Sequence, residues 1–278
     1  MIPRTALLAL FALVGCNASP VKTDGQPRVV SLDYCADQYV LGLVERDYIA
    51  ALSRDSQADY AYLRAEAVGL AQTSGRAEAV LALRPTVIVR TYGGGPDAGA
   101  LYARLGIPVV QIGYAGRLED IASVVQAAAG DFDGAMGDET ASNRAAILID
   151  QMRNNLDRVP ASSDRRSLLY MTQGGVTAGP GTMIDDIITK AGYSNFETRP
   201  GWSPLPLERL AYKQPDQIAT AFFDGAYTVL SPWTASRHPV ARRQLANQDA
   251  VAIDSALTSC SAWYTAEAVT VLAERRSQ

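Results

Sequence analysis

Strand-like and helix-like segments alternate along this chain, and one long amphipathic helix interrupts the alternation near its middle. The runs Arg28–Leu32, Ile49–Leu52, Thr86–Arg90 and Val109–Ile112 are rich in aliphatic and β-branched residues. Between and after them, Gln38–Val44, Ala77–Leu83, Asp97–Leu105 and Leu118–Ala129 carry apolar residues at helical spacing. Strands separated by helices of about ten residues cannot close as hairpins, so they dictate βα units and a mostly parallel sheet. Gly137–Val159 differs. Ile147, Leu148, Met152, Leu156 and Val159 recur at spacings of three and four, and Arg144, Asp150, Arg153, Asn154 and Asp157 fill the other positions. With Thr140, Ser142 and Asn143 as cap candidates, the spacing predicts one long helix that ends near Pro160. Beyond it the alternation restarts: strand Ser167–Met171, a Gly-rich turn, helices Met183–Ala191 and Leu207–Tyr212, strand Gln217–Phe222, helix Pro239–Ala246, strand Val251–Ile253 and helix Ala262–Arg275.

The two halves also echo each other. Glu78–Ile88 (EAVLALRPTVI) and Glu208–Ile218 (ERLAYKQPDQI) align without a gap, each running glutamate, short helix, proline and strand. Pro85 and Pro215 stop the helices, because the residue before a proline avoids the α region. Two copies on either side of one long helix predict two related lobes. Composition removes several function classes. At 48% apolar and 19% charged, the 278-residue chain is not bulk-disordered. A net charge of −4 leaves no basic excess to neutralise phosphates, which excludes nucleic acid as a partner. One histidine, His238, and three cysteines leave no His/Cys zinc cluster, so no resident metal or cofactor is expected. Thr177–Thr182 (TAGPGT) lacks the lysine and hydroxyl of a phosphate loop, and Gly179 and Gly181 are read as turn glycines, as is the run Gly93–Gly95.

Residues 1–20 read as an export address. Arg4 precedes an apolar run, Ala6–Val14, too short for the ~30 Å hydrocarbon core of a bilayer. The ending Leu13-Val14-Gly15-Cys16 looks like a bacterial lipobox. The expected organisation is a signal peptide over 1–15, a tether over 16–27 with Cys16 as the lipidated residue, an α/β lobe over 28–136, a linking helix over 137–160 and a second α/β lobe over 161–278.

The whole of Arg28–Arg276 resembles the iron-complex/vitamin B12 family of ABC-importer solute-binding proteins. The marks are RVVSL (Arg28–Leu32) with Asp33–Asp37, EAVLALRPTVIV (Glu78–Val89), LYARLGIPVV (Leu101–Val110), the linking helix, TAGPGTMIDDIITKAGYSN (Thr177–Asn195) and LPLERLAYKQPDQI (Leu205–Ile218), in the family's order. The resemblance implies two βα-sandwich lobes with mostly parallel sheets, joined by one rigid helix, with the ligand in the cleft between them. It also implies non-covalent binding without catalysis, a monomer in the periplasm anchored by its lipid, and an inner-membrane ABC permease as partner. The ligand would be a ferric siderophore, haem or cobalamin. Residue by residue, the family's permease-docking glutamates fall on Glu78 and Glu208. A carboxylate near a helix N-terminus also favours the helix dipole, so both roles are compatible.

Open α/β sheets bind ligands at the C-terminal ends of their strands. The cleft candidates in the first lobe are therefore Asp33, Tyr34 and Cys35 after the first strand, Arg76 within Gln72–Arg76, Arg90 and Tyr92 after the next, and Tyr114 after the fourth. In the second lobe they are Gln173–Val176, Trp202, Trp233 and Arg237. Aromatics with a few polar groups suit a bulky, ring-rich ligand, and an arginine there would grip a carboxylate or phosphate. Cys35 and Cys260 admit three readings: a disulfide, buried free thiols, or a thiolate ligand to a metal. His238 reads as a cap or surface residue, with an axial ligand as the alternative. The rival functions are an exported enzyme using Asp33, Asp37 or Cys35 with His238, and a scaffold that binds another envelope protein.

Overall fold

The computed structural model describes residues 25–161, 166–222, 234–247 and 250–277. The signal peptide, Cys16, most of the tether and Trp233 lie outside the described residues. The first half runs β1 (Val29–Ser31), α1 (Tyr34–Leu43), β2 (Ile49–Ser53), β3 (Gln72–Thr73), α2 (Ala77–Ala82), β4 (Val87–Arg90), α3 (Ala98–Arg104) and β5 (Val109–Gln111). Its sheet is parallel throughout, in the order β3-β2-β1-β4-β5. Two long helices follow, α4 (Ile121–Met136) and α5 (Thr140–Asp157). The second half runs β6 (Ser167–Thr172), β7 (Val176–Ala178), α6 (Met183–Lys190), β8 (Ser194–Asn195), β9 (Trp202–Pro204), α7 (Leu207–Tyr212), β10 (Gln217–Ala221), α8 (Pro239–Asn247), β11 (Val251–Ala252) and α9 (Thr265–Arg276). Its main sheet is again parallel, in the order β11-β10-β6-β8, and β7 pairs antiparallel with β9.

The sequence echo is a structural repeat. Through Pro85, α2 leads into β4 beside β1, and through Pro215, α7 leads into β10 beside β6. The order β2-β1-β4-β5 corresponds to β8-β6-β10-β11. Alternation along the strands gives each sheet two apolar faces. Val29, Val87 and Val89 join the central core, while Val30 and Ile88 pack outward with Val80, Ala98 and Tyr102 beneath α2 and α3. Likewise Leu168 and Tyr170 face the central core, and Leu169 and Met171 pack with Leu210 and Ala241 beneath α7 and α8. The central core is continuous across both halves. Ala145, Ile149 and Met152 of α5 are buried in it, with α1, α4 and α9 as the helix's neighbours. Ile149 and Met152 each contribute about 1.5–3 kcal/mol by leaving water.

The linking helix is shorter than the expected 137–160. Gly137 sits at φ 81° as the left-handed cap of α4, which runs on to Met136 rather than stopping at Ala129. α4 and α5 therefore form a hairpin. None of Thr140, Ser142 and Asn143 caps α5; the Asp133 carboxylate of α4 accepts from Ala141 N–H (2.9 Å) and Ser142 N–H (3.1 Å), and Asp138 accepts from Thr140 N–H (3.0 Å). Among the described residues no helix is long and apolar enough to cross a membrane.

Candidate functional site

β1 is the strand at which the order of the first sheet reverses, with β2 on one side and β4 on the other. The turns after β1 and β4 thus flank the crevice in which such sheets bind ligands. Asp33 caps α1 through Ala36 N–H (2.9 Å) and also accepts from Thr91 N–H (2.8 Å), Tyr92 N–H (3.1 Å), Gly93 N–H (2.8 Å) and the Thr91 hydroxyl. A buried carboxylate surrounded by five donors from its own chain holds the loop after β4 in place. The loop lies so close to β1 that a Cβ on Gly93 would sit 2.4 Å from Leu32 O, so only glycine fits. Arg90 also turns inward. It is buried and donates to Tyr92 O (3.2 Å) and Gly95 O (2.9 Å). Both residues were expected at the ligand and instead shape the loop that presents Tyr92, which is 58% exposed.

One cavity opens against this loop and a second adjoins it. One, of about 310 Å³, is lined by Cys35, Tyr39, Thr91, Tyr92, Ile112 and Gly113; the other, of about 250 Å³, by Met183, Ile184, Trp202, Thr258 and Thr265. They share Tyr114, Ser259, Cys260 and Ser261, so they are two ends of one cleft between the halves. Cys35 and Cys260 form a disulfide with a Cα–Cα distance of 5.6 Å, which selects the first of the three readings. Around it, Tyr34 donates to Ser259 O (3.4 Å) and Tyr39 to Ser261 O (3.2 Å), while the Ser259 hydroxyl donates to Tyr60 O (2.8 Å). The Tyr34 ring meets those of Tyr60 and Tyr92 edge-on, at 4.8 and 6.2 Å. Burial, then the neighbouring Asp33 charge, pushes the Tyr34 phenol up. Burial, then Tyr34 and Asp33, does the same to Tyr92, so both rings present neutral hydroxyls.

Tyr92, Tyr114, Cys35 and Trp202 are thus brought together, with Tyr34 behind them. Arg76 and Arg237 are exposed and line neither cavity. The Gln173–Val176 turn packs on the 3-10 turn Ala235–Arg237, with the Ser236 hydroxyl donating to Gln173 O. His238 is exposed, and its Nδ1 accepts from Val240 N–H (3.2 Å) at the start of α8, a capping role. Asp37 is fully buried and accepts from Ser53 N–H (3.0 Å). Burial pushes its carboxyl up to about 6, against the pull of the Ser31 and Ser53 hydrogen bonds. With Asp33 fully bonded, Asp37 buried, Cys35 oxidised and His238 outside the cleft, the side chains of the enzyme reading are never assembled. Sequence reasoning missed Tyr39, Ile112, Met183, Ile184 and the Ser259–Ser261 floor. The one available signal was Cys260, through its pairing with Cys35.

Glu78 and Glu208 are exposed in the first turns of α2 and α7, with no ion-pair or hydrogen-bond partner among the described residues. Each short helix is held by one buried side chain, Val80 or Leu210. α7 has a further brace. The buried Glu197 carboxylate pairs with Arg199 (3.0 Å) and Arg209 (3.5 Å) and accepts from the backbone N–H groups of Thr198 and Arg199. Burial opposes its ionisation, but Arg199's hydrogen bonds and the two guanidinium charges hold it below the usual range.

The sequence profile of the family described as "Periplasmic binding protein" matches residues 29–224. No functionally curated protein shows significant sequence similarity to the chain. Among solved structures, the periplasmic haem-binding protein RhuT from Roseiflexus sp. RS-1 is 20% identical with a TM-score of 0.64, covering 90% of this chain and 99% of its own. The periplasmic haem-binding protein HutB of Vibrio cholerae is 19% identical with a TM-score of 0.67, covering 91% and 99%. The periplasmic vitamin B12-binding protein BtuF of Vibrio cholerae is 19% identical with a TM-score of 0.59, covering 90% and 98%. At these identities the likeness establishes a shared two-lobed α/β fold. Together with a profile match that spans most of the chain, it places this protein in the periplasmic binding protein family, whose members bind solutes rather than transform them.

Proposed function

We propose that this protein is the solute-binding component of an ABC importer, capturing a bulky, ring-rich metal complex in the inter-lobe cleft and delivering it to the membrane permease. The observation that carries the reading is the lining of the cleft. Tyrosine, indole, hydroxyl and aliphatic groups from both halves converge there, and none of the described lining residues is charged. Iron complexes and cobalamin are the ligand classes in view, since RhuT and HutB are haem-binding proteins and BtuF is a vitamin B12-binding protein. An uncharged lining suits a corrinoid or an uncharged ferric chelate. Haem fits only with its propionates kept at the solvent edge, because an unpaired buried carboxylate is costly. The visible spectrum of protein purified from its own envelope, followed by titration with cyanocobalamin, hemin and a ferric trihydroxamate, tests this. Saturable binding of one of them is expected; failure of all three overturns the ligand assignment.

The lobes are taken as residues 28–136 and 161–278, with α5 as the rigid link, and the cleft as largely pre-formed, so that affinity comes from pre-organisation. Glu78 and Glu208 are the permease contacts, one per lobe. Cys16 is the lipid-bearing residue of a monomer held at the membrane. Its change to serine should release the chain or leave an unprocessed precursor, and unchanged membrane attachment and processing would remove that assignment.

A further inference from the structure

The two cavities meet at Ser259–Ser261, a stretch that belongs to neither a helix nor a strand. Locally, Ser259 N–H donates to Ser255 O (2.9 Å) and the Thr265 hydroxyl donates to Cys260 O (3.3 Å). Its ties to the first half are three hydrogen bonds, with Tyr34, Tyr39 and Tyr60, and the bond from Cys260 to Cys35 at the start of α1, 225 residues earlier. Of these, the disulfide alone is covalent. Cys35 lines one cavity and Cys260 lines both.

We propose that the Cys35–Cys260 bridge is the floor of the ligand site and sets the separation of its two walls before the ligand arrives, so that opening the bridge with a dithiol unloads the cleft. The proposal rests on the reading of the cleft as a ligand site. The bridge joins the first half, which carries Tyr92, to the segment that borders Met183 and Trp202 through the second cavity. An uncharged, polarizable disulfide also suits the ring faces of the ligand class proposed above. Opening it is ordinary exchange. A thiolate of the dithiol attacks one sulfur, its second thiol closes the dithiol into a cyclic disulfide, and two electrons and two protons pass to Cys35 and Cys260 as thiols. With the floor released, only a fraction of molecules keep the productive wall spacing. A fraction of about 1–10% weakens apparent affinity about 10- to 100-fold.

The test compares oxidised protein with protein reduced by dithiothreitol, alkylated and freed of reductant, and with the C35S/C260S variant. Each is titrated with cyanocobalamin, hemin and a ferric trihydroxamate. The probe that binds the oxidised form is expected to bind both opened forms about 10- to 100-fold more weakly, mainly through slower association. Equal affinity in all three forms overturns the proposal. Should the opened forms not fold, Ser261→Phe fills the floor with the bridge intact, and binding must then be lost; unchanged binding overturns the floor assignment. Hydrogen exchange needs no ligand. Amides of both Thr91–Gly93 and Thr258–Tyr264 are expected to exchange faster once the bridge is open, and unchanged exchange there overturns the proposal even if none of the probes binds. Failure of every probe with faster exchange at both walls would instead remove the ligand assignment and leave the floor standing.

Discussion

On their outer faces the two halves are nearly copies, whereas on the faces that meet they are unlike. Outside, α2 and α7 have equal length, one buried anchor each (Val80, Leu210) and an exposed glutamate in the first turn. Inside, the first half presents Thr91, Tyr92 and Tyr114, and the second presents Met183, Ile184 and Trp202. The difference separates two demands on one duplicated architecture. A partner gripped at two equivalent points requires matching geometry. An asymmetric ligand requires walls of different chemistry. The match outside is also incomplete, because only α7 is braced by a buried carboxylate between two arginines.

The largest effect is expected from reversing both copies of the outer feature. Glu78→Lys with Glu208→Lys sets positive charge against the arginines expected on the permease, a juxtaposition costing on the order of several kcal/mol. Uptake by proteoliposomes should fail while ligand affinity in solution is unchanged. Unimpaired uptake removes the docking assignment, and lost affinity moves both glutamates to the cleft. Next comes the brace that the first half lacks. Glu197→Ala leaves two guanidinium groups without their carboxylate and should cost about 3 kcal/mol in denaturant unfolding. A cost below about 0.5 kcal/mol, the range of an ordinary surface change, would mean that the brace holds nothing.

Asp37 gives an effect of similar size that belongs to the first half alone. Its folded value is raised to about 6, so the stability tied to its neutral form is complete below about pH 4 and is lost as pH rises through 6. Asp37→Asn, which mimics the neutral form, should therefore be more stable than the parent at pH 7.5 by up to about 3 kcal/mol, a gap that closes at pH 4. A gap that is equal at both pH values would show the group to be neutral throughout. The smallest effects probe the unlike walls one at a time. Tyr92→Ala and Trp202→Ala should each weaken ligand binding by about 1–2 kcal/mol, roughly 5- to 30-fold, with little change in melting temperature. If only one of them matters, the ligand rests against a single wall.

Most of the fold was legible because its signals are local. The aliphatic, β-branched runs around Val29–Ser31, Val87–Arg90 and Ser167–Thr172, and the prolines at 85 and 215, mark strands and helix ends within a few residues. Strands of two or three residues, such as Gln72–Thr73 and Trp202–Pro204, carry too few positions to show a period. The run of α4 over residues 130–136 was missed because Gly130 and Gly134 are poor helix formers, and the groups capping α5 include one in the preceding helix. At the site, residue types at strand ends pointed to the crevice beside β1. Their roles were not legible. Asp33 and Arg90 looked like ligand contacts because a sequence gives no sign that a carboxylate will find its donors 58–60 residues away. The floor depends on a contact across 225 residues, further than any local pattern reaches.

The continuity of the central core has a consequence for how the chain is made. α9, within the last fourteen residues, packs on α5 and α6, and just before it Tyr264 stacks on Tyr62 at 4.1 Å. The Tyr62 hydroxyl bonds to Glu267 on α9 itself. A chain that emerges N-terminus first must therefore hold its first half with an unfinished apolar face until α9 arrives. Completion of this core waits for α9 rather than proceeding lobe by lobe. A nascent chain stalled before Thr265 is the form on which chaperones and proteases would act, and loss of α9 would unsettle residues laid down more than two hundred positions earlier.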